Sequence, residues 1–109
     1  GSDTTANALA NILFNLLNNP DALERLAKEV RSRFADVSQV RPGATLQECE
    51  YPSACIDEGL RLTPVVGGYL QRGLLAGGVS IGGQVVVEGT DVGVSHHAVM
   101  RNREYFDNP

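Results

Sequence analysis

The sequence predicts a mainly α-helical chain with a small β-sheet region, an α+β arrangement, and three observations carry that expectation. Apolar residues recur at helical spacing from Ala6 to Leu17 and again from Leu23 to Phe34. A short segment from Tyr51 to Thr63 has Pro52 at its head and Pro64 behind it, the punctuation of one bounded helix. Beyond Pro64 the texture changes, and glycines interrupt short runs rich in valine. The expected division is a helical part over 1–64, short β-strands over 65–95, and a helix with a loop over 96–109.

The elements follow in order. Ala6, Leu9, Ala10, Ile12, Leu13, Phe14, Leu16 and Leu17 spread round much of a helix, which predicts a mostly buried one. Asn18-Asn19-Pro20-Asp21 ends it and starts the next, with Asn19 as cap and Pro20 in the first turn. Leu23, Leu26, Ala27, Val30 and Phe34 make one apolar stripe, and Glu24–Lys28 and Glu29–Arg33 are supporting pairs on the wet side. A polar loop turns at Pro42-Gly43, and Thr45-Leu-Gln-Glu48 has the spacing of a capping box. Val79–Ile81, Gly82-Gly83 and Gln84–Val87 read as a two-residue hairpin, Thr90–Ser95 as a third strand, and His97 to about Phe106 as a last helix.

Composition excludes several classes. The chain has 109 residues and a net charge of −4 with no basic run, which argues against a nucleic-acid partner. No stretch approaches the roughly 18 apolar residues of a membrane span, and no signal peptide opens the chain. Cys49 and Cys55 are too few for a disulfide framework and match no zinc spacing, so they read as packing thiols. Adjacent His96 and His97 find no further ligands in the pattern, which leaves packing or surface roles. The abrupt opening inside a patterned segment, and the ending on Asn108-Pro109, give the expectation of a piece cut from a longer protein.

The candidate functional residues sit at three places. In the Pro-bounded helix, Glu58 and Arg61 share a face, although an exposed pair of this kind contributes less than about 1 kcal/mol and Asp57 can also reach Arg61 at i, i+4. Between them Gly59 costs up to about 1 kcal/mol relative to alanine, which suggests a close approach by another backbone or a flat ligand. Three readings of Ser2, Asp3 and Thr4 stand: an N-cap, a foreign Gly1-Ser2 ahead of the helix, or a hydroxyl and a carboxylate placed in mid-helix over a buried site. Arg72 follows the Leu-Arg-Leu-Thr-Pro run at the start of a β-prone segment.

Taken in order, these pieces resemble the cytochrome P450 monooxygenases. Gly1-Ser-Asp-Thr-Thr5 is similar to the second half of the family's Gly-x-Asp/Glu-Thr-Thr motif, and Glu58-Gly-Leu-Arg61 to its Glu-x-x-Arg. Asn19 to Phe34 resembles the helix between them, Thr90-Asp-Val-Gly-Val the strand after a Gly-Thr turn, and Arg103-Glu-Tyr-Phe106 the Asp-Pro-Glu-x-Phe segment. Met100 stands where the family commonly has His, and Arg103 where it has Pro. The resemblance implies a fragment of the cytochrome P450 fold, running from the oxygen-activation helix to just before the haem-binding cysteine loop. The iron-ligating cysteine is then expected beyond Pro109, and so is the second arginine of the Glu-x-x-Arg network. Neither Cys49 nor Cys55 is its counterpart, and the fragment alone is expected to be inactive.

The resemblance also implies roles. Gly1 lets the helix lie close to the haem, Thr4 hydrogen-bonds the dioxygen held there, and Asp3 relays protons. Arg72 binds a haem propionate, Val65, Val66 and Gly67 line the substrate cavity, and Glu58 with Arg61 holds the haem-side core. The partners implied are a small organic substrate and an electron-donating reductase. The glycine-rich 67–89 stretch is closest to microsomal-type eukaryotic members, which implies a membrane anchor outside these residues and an endoplasmic reticulum location. Two other readings stand beside this one: a non-catalytic remnant that serves packing or partner contact, and an unrelated small α+β binding module with Arg72 on its surface.

Overall fold

An Asn-Asn-Pro junction closes one helix and opens another in the computed structural model of the chain, which describes residues 1–109. Helix α1 spans Ser2–Leu17 and α2 spans Pro20–Arg33. The side-chain amides of Asn18 and Asn19 donate to the carbonyls of Phe14 and Asn15 at 2.8 Å each, the Phe14 oxygen also accepting from Asn18 N–H. Asn19 occupies the expected cap position of α2, but it serves that helix only through its carbonyl, which accepts from Leu23 N–H. Pro20 stands at the first position of α2, where its missing N–H costs nothing.

After a short 3₁₀ turn at Val37–Gln39 come α3, Ala44–Gln47, and α4, Glu50–Leu62. The capping box expected at Thr45 does not form. Gly43 takes the N-cap position, Thr45 lies inside α3, and Glu48 pairs with Arg33 at 3.3 Å. Arg33 therefore turns to a neighbour across the fold where local spacing suggested Glu29, and Glu29 accepts from Tyr51 N–H. Helix α4 begins two residues before Pro52, which still falls in the first turn, and it ends before Thr63-Pro64 as expected.

The chain divides into two compact units, Gly1–Val65 and Val66–Pro109. In the first, α1, α2 and α4 pack against one another, with Ile12, Phe34 and Cys49 buried. The apolar stripe of α2 is at least half covered, as its spacing predicts. The expectation of a mostly buried α1 is corrected: α2 and α4 cover one side only, so Leu9, Leu13, Phe14 and Leu17 are exposed.

In the second unit β1, Arg72–Gly73, pairs antiparallel with β4, Asp91–Val92. Strands β2, Val79–Ile81, and β3, Gln84–Val86, form a separate hairpin in the register Val79↔Val86, Ser80↔Val85, Ile81↔Gln84. Its turn is Gly82-Gly83, both at positive φ (57° and 81°), the geometry that a two-residue hairpin requires. The strand expected over Thr90–Ser95 is regular only at Asp91–Val92, with one further bridge at Tyr69↔Ser95. Helix α5 covers His96–Met100 and stops short of the expected Phe106. Ser95 caps its start, and at its end the Asn102 side chain accepts from Glu104 N–H, a local turn that competes with further helix.

Gly59 explains how α1 and α4 come so close. A Cβ on Gly59 would lie 2.5 Å from Ile12 Cγ1 and 3.4 Å from Ile12 Cβ, so the close neighbour is a packed isoleucine on a facing helix. Gly59→Ala gains about 1 kcal/mol of helix propensity but overpacks this contact, a change that costs about 1–3 kcal/mol. The substitution should lower the urea midpoint of the chain, whereas in an Ile12→Ala background, which removes Cγ1, it should raise it. The same sign in both backgrounds would show that the Ile12 contact is not what holds glycine there.

Candidate functional site

The candidate residues at the head of α1 make bonds to backbone. Thr4 Oγ1 donates to the Gly1 carbonyl at 3.1 Å, Thr5 Oγ1 reaches the same carbonyl at 3.5 Å, and Ser2 Oγ donates to Asp3 Oδ1 at 3.4 Å. All are exposed. Gly1 holds the N-cap position and no side chain caps the helix, so Ser2, Asp3 and Thr4 form its first turn and are not its cap. Thr4 retains lone pairs that can accept a proton donor. From Asp3 to the Ile12 crossing the helix rises roughly 14 Å, so this turn is well removed from the Gly59 contact.

On α4 the expected pair forms as a fork. Arg61 Nε donates to Glu58 Oε2 at 2.6 Å and Nη2 to Glu58 Oε1 at 2.7 Å. This resolves the choice between Glu58 and Asp57 in favour of the bidentate arrangement that a planar guanidinium makes with a carboxylate. The Arg61 side chain is only 10% exposed and Glu58 is 53% exposed, so the cation is the sheltered member. The bond from Arg61 holds the Glu58 carboxyl below its ordinary range, and the bond to Glu58 raises Arg61 in turn.

Beside the pair, a groove of about 370 Å³ runs between α1, α4 and the start of α2. Asn15, Tyr51, Cys55, Glu58, Gly59 and Leu62 are among its lining residues, while Asp3, Thr4 and Val65 are not. The Asn15 Nδ2 is buried here with no hydrogen-bond partner. Arg25 stacks over the Tyr51 ring at 4.1 Å. Sequence spacing offers no signal for the Asn15 or Tyr51 environments, because both are made by residues distant in the chain.

In the second unit Arg72 lies on β1, exposed, with Nη1 donating to the Gln71 carbonyl at 2.9 Å. A guanidinium carries five N–H donors, so this arrangement suits an anionic group such as a carboxylate. Val65, Val66 and Gly67 lie in irregular backbone, Val66 is 46% exposed, and the Gly67 carbonyl accepts from Ser95 Oγ at 3.5 Å. His96 and His97 open α5 and do not lie on a strand, and no group of three or more His, Cys, Asp or Glu is placed to hold a metal ion.

The residues fit haem in part. Arg72 has the chemistry of a propionate partner. The cysteines lack that of a thiolate ligand: Cys49 is 1% exposed with Sγ donating to the Thr45 carbonyl, and desolvation pushes the Cys55 thiol up.

The Glu58 fork makes stability depend on pH. A carboxyl held below its unfolded value contributes stability that is present above the ordinary carboxylate range and lost as pH falls through the folded value. The chain should therefore lose stability below about pH 5, and Glu58→Gln should flatten that slope while Asp57→Asn leaves it. Equal acid slopes in the parent and in Glu58→Gln would remove the fork as a source of stability.

All 109 residues, 1–109, match the family profile described as Cytochrome P450. The cytochrome P450 monooxygenase poxM of Penicillium oxalicum is 42% identical over 109 residues, covering 100% of this chain and 21% of the relative. The cytochrome P450 monooxygenase AKT7 of Alternaria alternata is 38% identical over the same span, again 100% and 21%. The cytochrome P450 monooxygenase dtxS2 of Metarhizium robertsii is 44% identical, with 98% of this chain and 21% of the relative covered. The chain thus spans about a fifth of the length of the curated relatives it matches.

Proposed function

Because the chain belongs to the cytochrome P450 family, we propose that it is one segment of a haem-dependent monooxygenase acting on a small organic substrate. The observation that carries this reading is the match to the family along every residue of the chain. In the proposed reaction one atom of dioxygen enters a C–H bond of the substrate and the other leaves as water. Two electrons from a reductase and two protons are consumed. Haem, when bound, supplies the oxygen-activating redox chemistry.

The residues here hold and move protons and position the group. Thr4 Oγ1 both donates and accepts, which lets it hold a proton at the reacting end of the site. Asp3, whose carboxylate already accepts from a neighbouring hydroxyl, passes protons to it. Gly1 presents no side chain to the haem face, and Arg72 binds a propionate by charge-assisted bonds. Val65, Val66 and Gly67 line the substrate cavity, and the Glu58–Arg61 fork stiffens the end of α4. Neither cysteine has a thiolate's surroundings, so in this reading a cysteine outside these residues would hold the haem iron, and the 109 residues alone would not be the catalyst. No helix is long and apolar enough to cross a membrane. Membrane anchoring and an endoplasmic reticulum location belong to the proposal for the whole protein and rest only on the resemblance of the glycine-rich 67–89 stretch to microsomal-type members.

Two sets of variants in the full-length, haem-loaded protein test the assignment. Thr4→Ala should keep haem and substrate binding but divert reducing equivalents to peroxide. Asp3→Asn should slow turnover by about a hundredfold or more, the size of effect expected when a proton-transfer group is lost. Oxygen, peroxide and product measured together check this, and unchanged coupling and rate in both variants would return the residues to a structural role in the first turn. Glu58→Ala and Arg61→Ala should fail to accumulate as haem-loaded protein while Asp57→Ala accumulates. Equal haem loading in all three, read from absorbance against total protein, would reduce the fork to a surface contact.

A further inference from the structure

Strand β1 is only two residues long, and a two-stranded ladder of that length has little stability of its own. Its register against β4 is nevertheless continued beyond the ladder. Arg72 pairs with Val92, and the bridge Tyr69↔Ser95 keeps the same alignment, which puts Gly93 opposite Gln71. Between those two points the regular pairing lapses, and a side chain fills the gap. The Tyr69 ring lies over Gly93 so closely that a Cβ there would stand 2.7 Å from Tyr69 Cδ2 and 2.9 Å from the Leu70 carbonyl oxygen. The second of these is backbone and cannot swing away. No side chain therefore fits at Gly93 while the ring and the Leu70 backbone hold these positions.

The ring is tied back to the arginine. Gln71 Nε2 donates to Tyr69 Oη at 3.0 Å, and the carbonyl of the same Gln71 accepts from Arg72 Nη1 at 2.9 Å. A continuous path thus runs from Gly93 through the Tyr69 ring and Gln71 to the Arg72 guanidinium, all within the second unit. Arg72 itself is exposed, and a long side chain on a short strand has many rotamers to lose when it binds. Fixing its backbone and one of its nitrogens beforehand reduces that cost.

We infer that Tyr69, seated on Gly93, is a positioning residue that sets the Arg72 guanidinium for a haem propionate. The inference rests on the reading of Arg72 as the propionate partner, and the test separates the two. Full-length protein is loaded either with haem or with haem dimethyl ester, whose propionates carry no charge. The rate of haem loss to an excess of apomyoglobin is then measured for each. The ratio of the two rates reads the charged contact, and a general loosening of the fold moves both rates together and leaves the ratio alone.

In the parent, the ester should leave roughly tenfold faster or more, the size expected for loss of a hydrogen bond to a charged group. Arg72→Gln should bring the ratio close to one. Tyr69→Ala and Gly93→Ala should lower it by roughly threefold each, and together by no more than either alone, because they break the same contact. Tyr69→Ala removes an exposed ring and keeps the test decisive where Gly93→Ala does not accumulate. A ratio that collapses in Arg72→Gln but is untouched in Tyr69→Ala overturns the positioning role and leaves the propionate assignment standing. A ratio unaffected by Arg72→Gln overturns both.

Discussion

The first unit depends on the near-contact of α1 and α4 at Ile12 and Gly59. A helix interior is an unfavourable place for glycine, and the sequence accepts that cost at the point where a facing isoleucine fills the volume a Cβ would need. Ile12 is also one of the few buried apolar residues, so one crossing combines close backbone approach with burial. Helices α2 and α4 lean on the same side of α1. Leu9, Leu13, Phe14 and Leu17 therefore find no cover from α2 or α4.

The crossing also governs the chemistry beside it. Gly59 lies between Glu58 and Arg61 in sequence, so the position of α4 against α1 places the fork at the edge of the groove that Gly59 and Ile12 help to line. Arg61 is sheltered and Glu58 is half in water, and an asymmetric pair of that kind favours geometry over strength. Two parallel bonds fix the relative orientation of the side chains, while solvent screens the attraction. The fork is thus better suited to stiffening the last turns of α4 than to supplying a large energy.

The second unit is built on turns more than on ladders. Its strands are two or three residues long, and each sheet has two strands. What holds them is local: paired glycines at positive φ in the hairpin, Glu88 Oε2 accepting from Gly77 N–H across the open end of the same hairpin, and the Tyr69 ring on Gly93. Strands so short gain little from hydrophobic burial, so side-chain hydrogen bonds and close backbone contacts carry the register.

Much of this was legible in the sequence wherever the cause is local. Proline and its predecessor bound α4 because their φ/ψ restrictions act within two residues, and the Gly82-Gly83 turn follows from the only residue that adopts those angles freely. The α2 stripe and the Glu58–Arg61 spacing are likewise properties of a single helix. Family membership was legible too, since it rests on the order of such motifs along the chain. What only the tertiary structure decided is which of several local options won. Glu48 took Arg33 in place of a capping role, Asn19 turned its amide back to α1, and Arg61 chose Glu58 over Asp57. The near neighbour of Gly59 proved to be an isoleucine side chain, and the apolar circumference of α1 proved to be covered on one side only. In each case residues distant in sequence compete for the same partner or the same space, and spacing along the chain does not record which of them arrives.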